Sequence, residues 1–396
     1  MDEIEFSMCV TEYQDISPLS QLLKGFKRRC RVRTILWKDA PSELSNMAIY
    51  NRGADVSQVG APTVGDLVSM NALRPFTPEE VYSIGGEQAF LPMAWESSRR
   101  IERQQVWAIP WLADPRAIFY WRDLLEHAGI EEEHAFQNSQ EMEATLGRLQ
   151  ADSIPSPWVI PTIPDLPLLQ IIASWVWGAG GDFVSPEGKR VRFLEPEALA
   201  GFKAFYRLFR FTPRTGSLTD IQQVKSLFTS RQAAVTMGSP QLGLSILKEI
   251  PAGERSLLGV AAPPGPSLIG GSNLVVWAHT RRPIQAVDLV RFLTSKAAQV
   301  EYLPSIGYLP VRWDAFTEPP YTTDPFFKGL LKTMYDSRPF SLIRMGGLLE
   351  ARLLVPLSNI WQELIENPEA DLDSILSDHL TPTANRLNVM LSSTAA

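Results

Sequence analysis

The chain has 396 residues, of which 45% are hydrophobic and 20% are charged, and its formal net charge is −7. This length is too great for one ordinary core and suits two lobes, and the composition is that of a folded globular protein. The acidic balance and the lack of a long basic cluster disfavour nucleic acid as a partner, and no stretch reaches the ~18 apolar residues of a membrane span.

The first sixty residues alternate strand-like apolar runs with one helical pattern. Strands are predicted at 4–10, 31–37 and 55–60, and a helix is predicted over 16–29. This βαβ order with short links predicts a parallel sheet, whose ligands lie at the carboxyl ends of its strands. The candidate ligand-binding residues at those ends are Glu12, Tyr13, Trp37 and Thr63.

The segment 106–125 is the most informative part of the chain. An apolar strand-like run breaks at Pro110, an acid follows at Asp114, and a second apolar run leads into a helix start. A carboxylate between runs that contain tryptophan suits a polyol, because sugar C–H faces stack on indole rings while hydroxyls donate to the acid. The alternative interpretation is a buried strand–helix unit of any α/β enzyme.

The middle of the chain is predicted to be mainly helical. Residues 131–153 show a charged helical pattern with a solvated acidic start, 155–167 are a proline-rich loop, and 168–178 form a buried helix. The glycines of 178–181 are interpreted as a helix end and turn. A phosphate loop is disfavoured there, because no strand precedes them and no Gly-Lys-Ser/Thr follows.

Several blocks of the sequence together resemble the bacterial extracellular solute-binding proteins, the maltose-binding-protein-like family. Segment 106–125 is similar to the hinge-crossing segment of that family, and residues 228–241 resemble its "F-x-x-G-K-A-A-M-x-x-G-x-W" block. The stretches 270–274 and 307–311 resemble its Gly-Gly strand and its "G-x-x-P" turn. Two positions depart from the pattern. Ser230-Arg231-Gln232 lacks the Gly-Lys, which is expected to be harmless on a surface turn, and Gln241 stands close to where a stacking tryptophan is common.

The resemblance implies an α/β, two-lobed type II periplasmic-binding-protein fold with a hinge and a ligand cleft between the lobes. The expected lobes are 1–111 with 266–318 and 112–265 with 319–396. It also implies the substrate-binding component of an ABC importer, which captures a carbohydrate or polyol by hinge closure. The expected partners are that small molecule and the transporter permease. The protein is expected to be a monomer without cofactor, metal or catalytic activity.

The resemblance extends the set of ligand-binding candidates beyond the strand ends. Asp114 is expected to accept hydrogen bonds from two hydroxyls, and Trp37, Trp111 or Trp175 to offer a stacking face. An alternative ligand is an anion drawn by Arg116 and a helix N-terminus. The further candidates are Trp111, Asp114, Arg116, Gln170, Trp175, Ser239, Gln241, Gly270, Gly271, Ser272, Tyr308 and Arg344.

Other chemistries find little support in the sequence. No histidine pair has zinc-ligand spacing, and no nucleophile elbow is present. Two alternatives stay open: a carbohydrate-active enzyme that uses Asp114 as one of a carboxylate pair, and a cytoplasmic ligand-sensing domain. The acidic N-terminus is unlike a secretory signal. The protein is therefore expected in the periplasm or outside the cell if a signal was removed, and in the cytoplasm otherwise. Cys9 and Cys30 are expected to be free, buried thiols.

Overall fold

The computed structural model describes residues 3–11, 15–96, 105–152, 154–340 and 346–393. The strands are β1 (Ile4–Val10), β2 (Cys30–Leu36), β3 (Val56–Gly60), β4 (Leu73–Arg74), β5 (Ala108–Pro115), β6 (Ala117–Trp121), β7 (Trp158–Val159), β8 (Val235–Gly238), β9 (Leu258–Ala261), β10 (Ser267–Trp277) and β11 (Ser337–Arg338). The helices are α1 (Ser17–Leu22), α2 (Ala40–Tyr50), α3 (Ala61–Ser69), α4 (Pro78–Ile84), α5 (Pro92–Glu96), α6 (Arg122–His127), α7 (Ser139–Ala151), α8 (Leu166–Gly178), α9 (Pro196–Tyr206), α10 (Ile221–Thr229), α11 (Pro240–Glu249), α12 (Pro283–Leu293), α13 (Lys296–Ile306), α14 (Pro325–Thr333), α15 (Gly346–Glu366) and α16 (Leu372–Ser393).

The chain forms two compact units, each assembled from separate stretches of sequence. Unit 1 consists of Met1–Asp114, Gly270–Asp324 and Leu342–Gly346. Unit 2 consists of Pro115–Ile269, Pro325–Ser341 and Gly347–Ala396. The lobe limits inferred from the sequence stay a prediction.

The sheet of unit 1 has the order β10-β3-β1-β2, with β4 and β5 also paired to β10. Strand β1 runs parallel to β2, with Val10 beside Leu36, and parallel to β3, with Phe6 beside Val56. Strand β10 is antiparallel to β3 and places Ser272 beside Gly60. The parallel sheet predicted for the first sixty residues is therefore confirmed.

Strand order reverses between β1 and β3, because the chain leaves β1 for β2 on one side and returns past β1 to β3 on the other. Such a switch point at the carboxyl ends of parallel strands is where open α/β sheets hold ligands. The predicted first helix is shorter than expected, since α1 ends at Leu22. A 3₁₀ turn at Leu23–Gly25 follows it, and Gly25 is a poor helix former.

Unit 1 is held by an aromatic and aliphatic core around its sheet. Trp111 of β5 stacks on Tyr302 at 5.9 Å between ring centroids and meets the edge of Phe6 at 5.7 Å. A second cluster joins Trp107 and Trp277 to aliphatic side chains of β2, β3, α2 and α3. These contacts bury Trp107 and Trp111 of the crossing segment.

The sheet of unit 2 has the order β7-β8-β6-β9. Strand β7 is parallel to β8, with Trp158 beside Val235, and β6 is antiparallel to both of its neighbours. The prediction of a plain loop over 155–167 was wrong at β7. Two residues carry no periodic signal, so only their pairing to β8 makes them a strand.

The helical prediction for 131–153 was also too long, since α7 begins only at Ser139. Asn138 caps that helix by accepting a hydrogen bond from the Glu141 amide at 2.9 Å. The acids before it are not a solvated helix start. Glu132 instead accepts a hydrogen bond from the Tyr120 hydroxyl at 2.6 Å and pairs with Arg122. Burial, and then this bond, raise the pKa of Tyr120.

The glycine run after α8 serves packing and chain reversal. Gly180 has φ +84°, and a Cβ on Gly181 would lie 2.4 Å from Cα of Ala198 on α9. These constraints support the predicted helix end and turn. Chain reversal at Gly180 and close packing at Gly181 account for these glycines without a phosphate-binding role.

The turn Ser230-Arg231-Gln232, which departs from the family pattern, places a non-glycine residue in a left-handed conformation and stabilises it by side-chain contacts. Arg231 has φ +59°, a left-handed conformation that glycine adopts more readily. Its guanidinium lies 4.1 Å from the ring centroid of Trp121 and pairs with Asp123 at 2.6 Å and Glu254 at 3.0 Å. These contacts offset the backbone cost, so the turn is a packed feature of unit 2 and not a bare surface loop.

Both cysteines are free thiols. Cys9 pairs with Ile35 while Cys30 pairs with Ile4, so the two lie several residues apart along neighbouring strands and cannot form a disulfide. Cys9 is buried as predicted, whereas Cys30 is only half-buried. Desolvation raises the pKa of each thiol to about 12. Across the described ranges, no helix is both long and apolar enough to cross a bilayer.

Candidate functional site

The carboxyl ends of the unit 1 strands bring several predicted residues to one edge. Trp37 follows β2, and its amide donates to the Val10 carbonyl at 3.0 Å. Thr63 lies in the first turn of α3, directly after β3, and Ser272 pairs across from Gly60. Trp37 and Thr63 are half-buried, whereas Ser272 is only 3% exposed.

Strand β5 adds the predicted acid to the same part of unit 1. Ala113 exchanges backbone hydrogen bonds of 2.8 and 3.1 Å with Leu309, which places Asp114 beside Tyr308. Asp114 is half-buried and Tyr308 is buried. We use "unit 1 edge" for the set Trp37, Thr63, Asp114, Gly271, Ser272 and Tyr308.

Gly271 has a structural reason of its own to be glycine. Its φ is +150°, and a Cβ there would lie 2.4 Å from the Leu112 carbonyl oxygen of β5. The close approach that the sequence assigned to a ligand is thus made by the protein's own backbone. A ligand role for Gly271 and its half-buried neighbour Gly270 stays a prediction.

Two of the three predicted stacking tryptophans are core residues. Trp111 is 0% exposed between Phe6 and Tyr302, and Trp175 is 2% exposed against Trp158 and Phe205, with ring centroids 6.3 and 5.1 Å away. An enclosed indole offers no face to a sugar, so the stacking role proposed for this pair is corrected to packing. Trp37 is half-buried and packs against the second core cluster, and its stacking role stays a prediction.

Unit 2 has an edge of its own, at the start of β6 and the end of β8. Arg116 is 3% exposed, and its backbone amide donates to Leu268 at 2.9 Å. The β6–β8 register sets Ala117 beside Gly238, so Arg116 lies next to the start of α11. There Ser239 caps the helix by accepting from the Leu242 amide at 3.2 Å. We use "unit 2 edge" for the set Arg116, Ser239 and Gln241.

The remaining predicted residues are dispersed or lie outside the described ranges. Gln170 is half-buried on α8 of unit 2. Glu12, Tyr13 and Arg344 fall outside the described residues. In the described part of the chain, no group of three His, Cys, Asp or Glu side chains is placed to hold a metal ion.

Gln58, a buried side chain of β3 at the switch point, was not predicted from the sequence. It is 2% exposed, and its Oε1 accepts from the Cys9 amide at 3.1 Å while its Nε2 donates to Ser272 Oγ at 2.8 Å. The available signal was a long polar side chain inside the predicted strand 55–60. A buried amide of this kind needs partners on both sides, so it marks a point where neighbouring strands meet.

The chain is similar to known bacterial binding proteins. A model of the bacterial extracellular solute-binding protein family matches residues 25–329. A probable ABC transporter-binding protein of Deinococcus radiodurans is 27% identical over 225 residues, which are 51% of this chain and 52% of that protein. The chain thus spans about half the length of that curated relative.

Solved structures share the architecture over nearly the full length. The sugar-binding protein MalE of Xanthomonas citri superposes with a TM-score of 0.83 at 16% identity, covering 100% of this chain and 98% of that one. UgpB of Mycobacterium tuberculosis, in complex with glycerophosphocholine, gives 0.81 at 16% identity and covers 100% of both chains. The predicted α/β type II binding fold is therefore confirmed.

Proposed function

Because the chain belongs to the bacterial extracellular solute-binding proteins, we propose that it is the substrate-binding component of an ABC importer. The Deinococcus radiodurans relative, a probable ABC transporter-binding protein, supports the transporter as partner. The family is extracellular by description, so we place the protein's work outside the cytoplasmic membrane.

We propose a neutral carbohydrate or polyol as the ligand. The observation that carries this proposal is the half-buried carboxylate of Asp114, which lies beside Tyr308 on β5, the strand that pairs with β10 where β10 carries Ser272. A carboxylate accepts hydrogen bonds from two ligand hydroxyls, and we expect the half-buried Trp37 to stack on a C–H face of the ligand. The similar MalE structure is a sugar-binding protein, which agrees with this ligand class.

A second ligand class is a polar molecule that carries a phosphate. The unit 2 edge favours it, because Arg116 is a buried cation next to the start of α11. The similar UgpB structure holds glycerophosphocholine. Both classes leave the protein a binder without chemistry of its own. Hinge closure over the ligand and a monomeric state stay predictions of the sequence.

A ligand panel tests the proposal. Purified protein is heated with maltose, tagatose, sorbitol, glycerophosphocholine, glycerol 3-phosphate and spermidine, and positive results are measured by calorimetry. A neutral sugar or polyol should raise the melting temperature, with about 2.7 kcal/mol of stabilisation at a hundredfold excess over Kd. A shift with phosphate compounds alone would move the assignment to the second class. Turnover of a nitrophenyl glycoside would replace the binding function by an enzymatic one.

The acid of the unit 1 edge provides the matched variant. Asp114→Asn keeps the shape but loses the charge-assisted bonds, and it should weaken sugar binding by about 1.5–3 kcal/mol. The control is Glu79→Gln, which removes an equal charge from the exposed first turn of α4 in the same unit. An unchanged Kd for Asp114→Asn, or an equal loss in the control, would show that Asp114 does not bind the ligand.

A further inference from the structure

A chain of hydrogen bonds from Cys9 through the Gln58 side chain determines whether the Ser272 hydroxyl at the unit 1 edge donates or accepts. A backbone N–H can only donate, so the Gln58 atom 3.1 Å from the Cys9 nitrogen must be the carbonyl oxygen Oε1. The other end of the amide is then Nε2, which can only donate. It lies 2.8 Å from Ser272 Oγ, so that oxygen must accept.

The Ser272 hydroxyl proton therefore has to point elsewhere. Gln58 Nε2 has no acceptor lone pair, and no other residue among those described hydrogen-bonds to the Ser272 hydroxyl. Ser272 is 3% exposed and faces Gly60, where β3 ends and α3 begins. A buried hydroxyl proton without an acceptor is costly, which favours a partner supplied from outside the described residues.

We propose that Gln58 is a positioning residue that makes Ser272 a hydrogen-bond donor to an acceptor oxygen of the ligand. This inference rests on the proposed binding function and deepens it. It assigns the polarity of one subsite: the ligand atom there is an ether, carbonyl or hydroxyl oxygen that accepts. Gln58 does not contact the ligand and acts only through Ser272. The Cys9 backbone amide fixes the orientation of the Gln58 side chain by donating to its Oε1.

The variant that isolates this role is Gln58→Glu, which keeps the length of the side chain and removes its donor. A carboxylate accepts from both the Cys9 amide and the Ser272 hydroxyl, so the hydroxyl turns inward and offers the ligand only lone pairs. Maltose binding should weaken at least tenfold. In the Ser272→Ala background the same substitution should change Kd less than twofold, because the relayed group is gone.

The matched control is the neighbouring buried polar residue on the same strand. The Ser57 hydroxyl hydrogen-bonds to Ser7 Oγ and to Trp277 Nε1, and in the described structure it makes no hydrogen bond to the Gln58 side chain. Ser57→Ala should lower the melting temperature and leave the maltose Kd within twofold. If Gln58→Glu does not fold, Gln58→Met removes the anchor without burying a charge and should weaken binding about threefold.

Neutron diffraction of the deuterated, ligand-free protein tests the relay independently of any sugar. The wild type should show the Ser272 deuteron directed away from Gln58, and Gln58→Glu should show it between the two oxygens. A wild-type deuteron between Ser272 and Gln58 would overturn the proposal, as would equal Gln58→Glu effects on Kd with and without Ser272. Failure of maltose to bind the wild type would count against the proposed ligand class, while the neutron maps would still decide the relay.

Discussion

At the scale of single residues, the close approach of β5 explains why position 271 is a glycine, without any ligand contact. A methyl group at Gly271 would meet the Leu112 carbonyl at 2.4 Å, and backbone cannot rotate away as a flexible side chain can. Gly271→Ala should lower the free energy of unfolding by at least about 2 kcal/mol, from this clash and from the φ of +150°. Denaturant unfolding measures the loss.

The control is another glycine of unit 1. Gly65 lies inside α3, and a Cβ there would meet nothing within 4 Å. Gly65→Ala should therefore stabilise the protein by about 0.5–1 kcal/mol, because alanine favours the helix. A neutral Gly271→Ala would show that β5 does not approach β10 this closely.

At the scale of elements, α8 carries both an enclosed core residue, Trp175, and a half-buried polar residue, Gln170. Trp175 lies on its enclosed face, between Trp158 and Phe205. Trp175→Ala should destabilise the protein by about 3–5 kcal/mol through the cavity it leaves. Gln170 is half-buried on the same helix, and Gln170→Ala should cost no more than about 0.5 kcal/mol. Thermal and denaturant unfolding compare the two, and equal losses would contradict the assignment of Trp175 to the core.

At the scale of the whole molecule, one half-buried acid should make stability depend on pH. Desolvation raises the pKa of Glu350 on α15 from 4.5 to about 7. The folded state thus holds this proton more tightly than the unfolded chain does. The stabilisation is complete below about pH 4.5 and is lost as pH rises through about 7, by up to about 3 kcal/mol.

Glu350→Gln removes that titration and should flatten the stability profile between pH 5 and pH 8, with its gain largest at the alkaline end. The control is Glu366→Gln, at the exposed end of the same helix, which should leave the profile unchanged. Denaturant unfolding across this pH range provides the measurement. A parallel profile for Glu350→Gln would show that the carboxyl is already solvated in the folded protein.

The sequence by itself determined the parallel sheet, the buried helix α8 and the solute-binding family. Periodicity of two or 3.6 residues is a local signal, and ordered motif blocks need no coordinates to be recognised. Local patterns also indicated that Trp37 and Thr63 lie at a common edge, because parallel strands end there. The ligand-binding roles of these residues remain predictions.

Only the tertiary structure decided which groups are accessible and which are paired. Tryptophan richness favoured a sugar site in the sequence, yet Trp111 and Trp175 fill cores, because burial depends on residues far away in the chain. The strand β7 exists through pairing with β8, and the glycine-like turn at Arg231 is held by Trp121. Gln58 joins β1 to β10 across β3. That contact spans 49 residues to Cys9 and 214 residues to Ser272, a separation beyond the reach of any local pattern.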